Sequence, residues 1–172
     1  MKVLFIGDIV GRSGRRAVAN LLPELANEYS WDLCIANAEN AAGGKGITPA
    51  IAEELLAYGI DVLTMGNHTW DNKDIFQFID SAPYLVRPAN YPIEVPGQGY
   101  TVVEKKGKKI AVLNLSGQVF MGPMDCPFAK ADQLISSLSD CDHIFIDFHA
   151  EATAEKVGFA RYVDGRAAAV VG

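Results

Sequence analysis

Four places in the chain set polar side chains directly after a short apolar run. VLFI (residues 3–6) leads to Gly7-Asp8, LCIANA (33–38) to Glu39-Asn40, DVLTM (61–65) to Gly66-Asn67-His68, and HIFIDF (143–148) to His149. These positions offer two carboxylates, two amides and two imidazoles, with no thiolate. Hard oxygen donors mixed with imidazole suit Mn²⁺, Fe or Zn²⁺ better than a thiolate-held structural zinc does. Two such ions can share a bridging carboxylate about 3.5–4 Å apart, lower the pKa of a water and hold it in line with a phosphorus centre. Glu39 is the natural bridge, because its strand would lie between those of Asp8 and Asn67. A neutral amide ligand such as Asn67 adds coordination without negative charge and leaves the site positive toward a phosphate. His68 follows Asn67 directly and cannot easily reach the same ion. It is therefore placed over the cavity, where it gives a proton to a leaving oxygen or stabilises transition-state charge.

Taken singly, each position has a plainer explanation: Asp8 as a cap, Glu39-Asn40 as a surface turn, Asn67-His68 as a loop satisfying backbone groups, His149 as a hydrogen-bonded core histidine. Four such coincidences at the same end of successive strands explain less than one shared site. Other candidates read as ordinary structure. His143 begins its strand; Arg12, Arg15 and Arg16 form a solvated helix face; Lys105, Lys106, Lys108 and Lys109 mark a solvated hairpin tip. The AAGGKG loop (41–46) lacks GxGxxG spacing and follows Glu39 instead of preceding an acidic residue by ~20 positions, which argues against a dinucleotide site.

The elements that must position these residues follow from the pattern. Continuous apolar runs at 3–6, 33–38 and 61–65 read as strands buried on both faces. A helix is expected from Ser13 to about Tyr29, kinked or broken at Pro23. A second runs from Thr48-Pro49 to about Tyr58, with Thr as cap and Pro in the first turn, and a short amphipathic helix covers 73–80. Three β-α units in succession imply a parallel sheet with right-handed connections and helices on both faces. YTVVEKKGKKIAVLNL (100–115) reads as an antiparallel hairpin around a Lys-Gly-Lys turn. A helix near 128–138, a strand at 143–148, a helix near 152–162 and a strand at 167–171 complete the layout.

At 172 residues and 49% apolar composition, the chain suits a single globular domain with a substantial core, residues 1–172. A net charge of -6 and a pI near 5.0 argue against binding a nucleic-acid duplex or an anionic membrane; a small phosphate ester needs only a local site. Cys34, Cys126 and Cys141 are widely spaced, without a CxxC pair, so a reduced, cytoplasmic protein is expected. No stretch reaches the ~18–20 apolar residues of a membrane span.

The motifs themselves resemble a known family. GDIVGRSGR (7–15), NAEN (37–40) with AAGGKGIT after it, TMGNHTWD (64–71), NLSGQVFM (114–121), DFHAEATAEK (147–156) and YVDGRAAAVVG (162–172) closely resemble the YmdB-like branch of the calcineurin-like metallophosphoesterase superfamily, over the whole chain. The resemblance implies an α/β fold of four layers, mixed sheets with helices outside. It also implies a dinuclear iron or manganese centre and hydrolysis of phosphodiesters, notably 2′,3′-cyclic nucleotides such as 2′,3′-cyclic AMP. By position, Asp8, Glu39 and Asn40 correspond to ligands of one metal, Glu39, Asn67 and His149 to ligands of the other, and His68 to the catalytic imidazole. Ser13 stands where proline is common and Ser116 where a larger apolar residue is common; neither touches the ligand set.

In the family the last strand runs into a Gly-Thr-His-Thr-His loop whose histidines each complete one metal site. The resemblance therefore implies an N-terminal piece of a longer protein, with each metal short of one imidazole. Its hydrolysis would be impaired, and a sheet edge left exposed would favour a homo-oligomer. A non-catalytic module that holds a nucleotide in the same cleft is the competing expectation.

Overall fold

The computed structural model describes residues 1–172, and the chain divides into two compact units, Met1–Leu85 and Val86–Gly172. The first is built from β1 (Val3–Ile6), α1 (Gly11–Tyr29), β2 (Leu33–Asn37), α2 (Pro49–Ala57) and β3 (Val62–Thr64), then two 3-10 turns (Lys73–Gln77 and Ile79–Ser81) and the short β4 (Leu85–Val86). The strands form one sheet in the order β1-β2-β3-β4. β1, β2 and β3 are parallel, with Ile6 opposite Ala36 and Asn37 opposite Thr64, so their carboxyl ends lie level.

Alternation along β2 decides where the helices go. Cys34 and Ala36, with Ala38 just past the strand, face a core shared with Leu63 and Met65, with Val18 and Leu22 of α1, and with Ala52 and Leu55 of α2. Both helices therefore cover the same face of the sheet. This corrects the expectation of helices on both faces: crossovers that step in one direction, each right-handed, return to one side. Within that core, burial and then the charge of Asp61 push the Cys34 thiol up to about 12, so it packs as an apolar group.

α1 continues without interruption through Pro23. The ring removes one backbone bond, to the Ala19 carbonyl, and the burial of Val18 and Leu22 in the turns just before it anchors the helix there. Residues 73–80 differ more from expectation. They form two 3-10 turns separated at Phe78, whose φ of -141° is not helical. So short a segment cannot sustain an α-helix on propensity, and it is shaped instead by the buried anchors Ile75 and Ile79.

The second unit contains β5 (Tyr100–Lys105), β6 (Lys108–Ser116), α3 (Pro127–Ser137), β7 (His143–His149), α4 (Thr153–Tyr162) and β8 (Ala169–Val171). Its sheet runs β5-β6-β7-β8. β5 and β6 form the antiparallel hairpin, and β6, β7 and β8 are parallel, so the sheet is mixed. Lys106 and Gly107 both have positive φ, which is the two-residue turn that matches strand twist. Lys108 and Lys109 pair with Asp142 and Asp140, as expected of a solvated tip.

Here too the helices share one face. Ala111, Leu113, Leu115, Ile146 and Phe148 pack with Ala131 of α3 and Phe159 of α4, and the Phe148 and Phe159 rings stack at 4.1 Å. The Pro-rich stretch before β5 is tied down by Arg87, whose guanidinium donates to the carbonyls of Pro88, Val95, Pro96 and Gly97. Each unit thus supplies one sheet and one helical layer. No helix is long and apolar enough to cross a membrane.

Candidate active site

Pairing extends past the strand ends of the first unit and carries the polar residues with it. The Ile9 N–H donates to the Asn37 carbonyl at 3.0 Å and the Ala38 N–H to the Thr64 carbonyl at 2.9 Å. Asn37 then ties the second loop to the third: its Nδ2 donates to the Met65 carbonyl at 3.1 Å, and its Oδ1 accepts the Glu39 N–H at 3.3 Å. The Asn40 carbonyl accepts N–H bonds from Gly11 at 2.9 Å and from Gly44 at 3.0 Å, locking the Glu39-Asn40 corner against the start of α1.

Four of the six expected side chains meet there. Asn40 Nδ2 donates to Asp8 Oδ1 at 2.8 Å and to Glu39 Oε1 at 3.3 Å. His68 Nδ1 stands 2.7 Å from Asn40 Oδ1 and 3.4 Å from Glu39 Oε1, and the His68 backbone N–H donates to Glu39 Oε2 at 3.0 Å. Glu39 is only 1% exposed, whereas Asp8 is exposed and His68 half-buried. Asn67, also half-buried, precedes His68 at the head of a turn closed by Thr69, which donates to the Gly66 carbonyl. His149 belongs to the second unit, half-buried at the carboxyl end of β7 beside Ser116 of β6, and its carbonyl accepts the Gly117 N–H at 2.9 Å.

The donor set fits a hard cation. A carboxylate as buried as Glu39 is costly without positive charge nearby. The positive end of the Asn40 amide, aimed at both Glu39 and Asp8, plays in part the role a cation would play for the two together. Counting only His, Cys, Asp and Glu, no group of three suited to a metal gathers in one place; amide oxygens are needed to complete the set.

Several supporting residues lay outside the sequence reading. Asn37 had a visible signal, a polar residue inside an otherwise apolar strand. Arg15 corrects an expectation: Arg12 and Arg16 are exposed, but Arg15 pairs with Glu54 at 3.1 Å and donates to the Ala41 carbonyl at 2.6 Å, bracing the loop after Asn40. Gly46, at φ 70°, lies so close to Asn72 that an added Cβ would stand 2.6 Å from the Asn72 Cβ. Together with the ion pair of Lys45 and Asp71, this contact fastens the Glu39 loop to the His68 turn. Nothing in local sequence marks Gly46 among its neighbouring glycines.

The model of the YmdB-like protein family matches residues 4–172. The chain belongs to this family. A Bacillus subtilis relative named 2′,3′-cyclic-nucleotide 2′-phosphodiesterase is 54% identical across all of the chain, which spans 66% of that relative's length. Among solved structures, a Thermus thermophilus protein superposes with a TM-score of 0.93 at 42% identity, over 99% of this chain and 66% of its own. One described as a novel phosphatase, from Mycoplasma pneumoniae, gives 0.91 at 38% identity, over 97% of this chain and 61% of its own. Both structures thus share the α/β fold of this chain.

Proposed function

We propose that the protein is a metal-dependent phosphodiesterase that opens 2′,3′-cyclic nucleotides, 2′,3′-cyclic AMP among them, in the cytoplasm. The observation that carries this reading is the buried Glu39 carboxylate, joined to Asp8 through the Asn40 amide and flanked by the His68 imidazole. The name of the Bacillus subtilis relative supports the substrate class. Asp8, Glu39 and Asn40 would hold one ion and Glu39, Asn67 and His149 a second, with iron or manganese suited to these donors. Such ions supply a water acidic enough to attack at neutral pH, and positive charge toward the phosphate oxygens.

The chain's own residues do the rest. Asn40 and Asn67 add donors without cancelling that positive charge. Glu39 Oε2, by accepting the His68 N–H, sets the turn on which the imidazole sits. Asn40 Oδ1 can only accept, so the ring facing it carries its proton on Nδ1, and Nε2 is the nitrogen left to serve the ester. Protonated there, His68 gives its proton to the sugar oxygen as the bond from that oxygen to phosphorus breaks and water's oxygen bonds to phosphorus.

Incubating the protein with 2′,3′-cyclic AMP and Mn²⁺ tests the reading. Release of adenosine monophosphate is expected; its absence from protein loaded with metal overturns the assignment.

A further inference from the structure

Two of the three residues assigned above to the first ion, Glu39 and Asn40, are the central pair of one tight turn. The Ala41 N–H closes it onto the Ala38 carbonyl at 3.1 Å, and Ala38 and Ala41 are both fully buried. The near end is secured by the Ala38 N–H, which donates to the Thr64 carbonyl at the end of β3. We infer that Arg15 secures the far end and is thereby a positioning residue for the ion assigned to Asp8, Glu39 and Asn40, an inference that rests on the metal-dependent reading just given.

Helix α1 reaches this turn twice. The Gly11 N–H donates to the Asn40 carbonyl at 2.9 Å. Arg15, one helical turn later, donates from its guanidinium to the next carbonyl, that of Ala41, at 2.6 Å. Residues four apart share a helix face, and the buried positions of α1 are Gly11, Val18 and Leu22, so Arg15 lies on the stripe turned to the core. Arg12 and Arg16 fall off that stripe and are exposed.

The guanidinium is itself held in place. Glu54 of α2 accepts from Arg15 Nε at 3.1 Å with one carboxylate oxygen and from the Tyr58 hydroxyl at 2.8 Å with the other. A planar fork fixed at Nε has its remaining nitrogens fixed too, and one of them meets Ala41. Because Glu54 already answers the charge of Arg15, what the side chain contributes to the turn is the hydrogen bond. A buried carbonyl is costly without a donor. Without Arg15, the far end of the turn is drawn toward water, and Glu39 and Asn40, between its ends, lose their alignment. Residues one step removed from a metal set the orientation of its ligands in this way.

Calorimetric titration of the metal-free protein with Mn²⁺ tests this apart from turnover. Arg15→Met is expected to raise the Kd about 10–100-fold, and Arg15→Lys, which keeps the charge but offers one nitrogen to two acceptors, about tenfold. Arg16→Met, which removes the same charge from the exposed face, should leave the Kd unchanged. An unchanged or tighter Kd in Arg15→Met, a wild-type Kd in Arg15→Lys, or an equal loss in Arg16→Met would overturn the inference. Should Arg15→Met fail to fold by circular dichroism, Arg15→Lys decides alone. A wild type that binds no Mn²⁺ overturns the metal-dependent reading and this inference with it, whereas wild-type binding with unaltered Arg15 variants overturns this inference only.

Discussion

The two units build the same kind of half, one sheet with helices on a single face, and furnish its strand ends differently. In Met1–Leu85 three parallel strands end in tight loops that gather Asp8, Glu39, Asn40 and His68 into one hydrogen-bonded cluster, with a carboxylate buried at its centre. In Val86–Gly172 the corresponding ends carry one histidine, a longer braced loop and an exposed ring at its tip. Behind both, the helical face is plain hydrocarbon. Packing there makes no demand on the loops, so strand ends are free to take on different chemistry. The candidate ligating side chains at the strand ends are concentrated in the first unit, and that asymmetry can be broken by mutation.

The largest effect is expected at Glu39. Glu39→Ala removes the carboxylate on which both proposed ions depend, so bound metal by elemental analysis and turnover of 2′,3′-cyclic AMP should fall together to background. His68→Ala should separate the two: metal content stays at the wild-type level while kcat drops by about 10²–10⁴, the range for a positioned proton donor. Metal and rate both retained in the two variants would mean that the first unit does not hold the chemistry.

A glycine in each unit sharpens the comparison. Gly46 and Gly107 share φ 70°, but an added Cβ meets Asn72 at Gly46 and open space at Gly107. Gly46→Ala should cost about 1–3 kcal/mol in urea unfolding, the strain of a left-handed alanine, with a further loss from the collision. It should also lower kcat by prying the Glu39 loop from the His68 turn. Gly107→Ala should cost only about 1–2 kcal/mol and leave turnover at the wild-type level. If both variants keep full turnover, the loops are not fastened at Gly46.

Much of this was legible in the sequence, for a definable reason. β1, β2, β3 and β7 are largely apolar runs stopped by polar residues, so one pattern marks both the strand and the chemistry at its end. Thr48 caps α2 by accepting the Ile51 N–H, a local rule that local sequence can express. What escaped depended on partners far along the chain. Arg15 looks like its exposed neighbours Arg12 and Arg16 until Glu54 and Ala41 fold beside it. Glu155 reads as an ordinary helix residue, yet it braces a loop more than thirty positions earlier. β4, two residues long, is too short for any periodicity to register. The face chosen by the helices follows from the order of strands in the sheet, which hydrophobic pattern alone does not encode.

The smallest effect belongs to the surface of the second unit. Asp132 accepts bonds from the Tyr162 hydroxyl and the Arg166 guanidinium, each at 2.6 Å, and these hold its carboxyl below the ordinary value of 3.8. A carboxyl depressed on folding contributes stability that is complete above its unfolded pKa and disappears as pH falls through the folded one. Asp132→Asn should therefore lower Tm at pH 7, by a small margin because the pair is exposed and screened by solvent. As pH falls below 3.8 and on through the depressed folded value, the gap between variant and wild type should close, since both then carry a neutral group. Arg166 also lies over the Tyr162 ring at 4.9 Å, a contact that Asn leaves in place, so the acid limb isolates the charge from the packing. A gap in Tm that stays constant from pH 7 into acid would assign the contribution of Asp132 to its shape and hydrogen bonds, not to its ionisation.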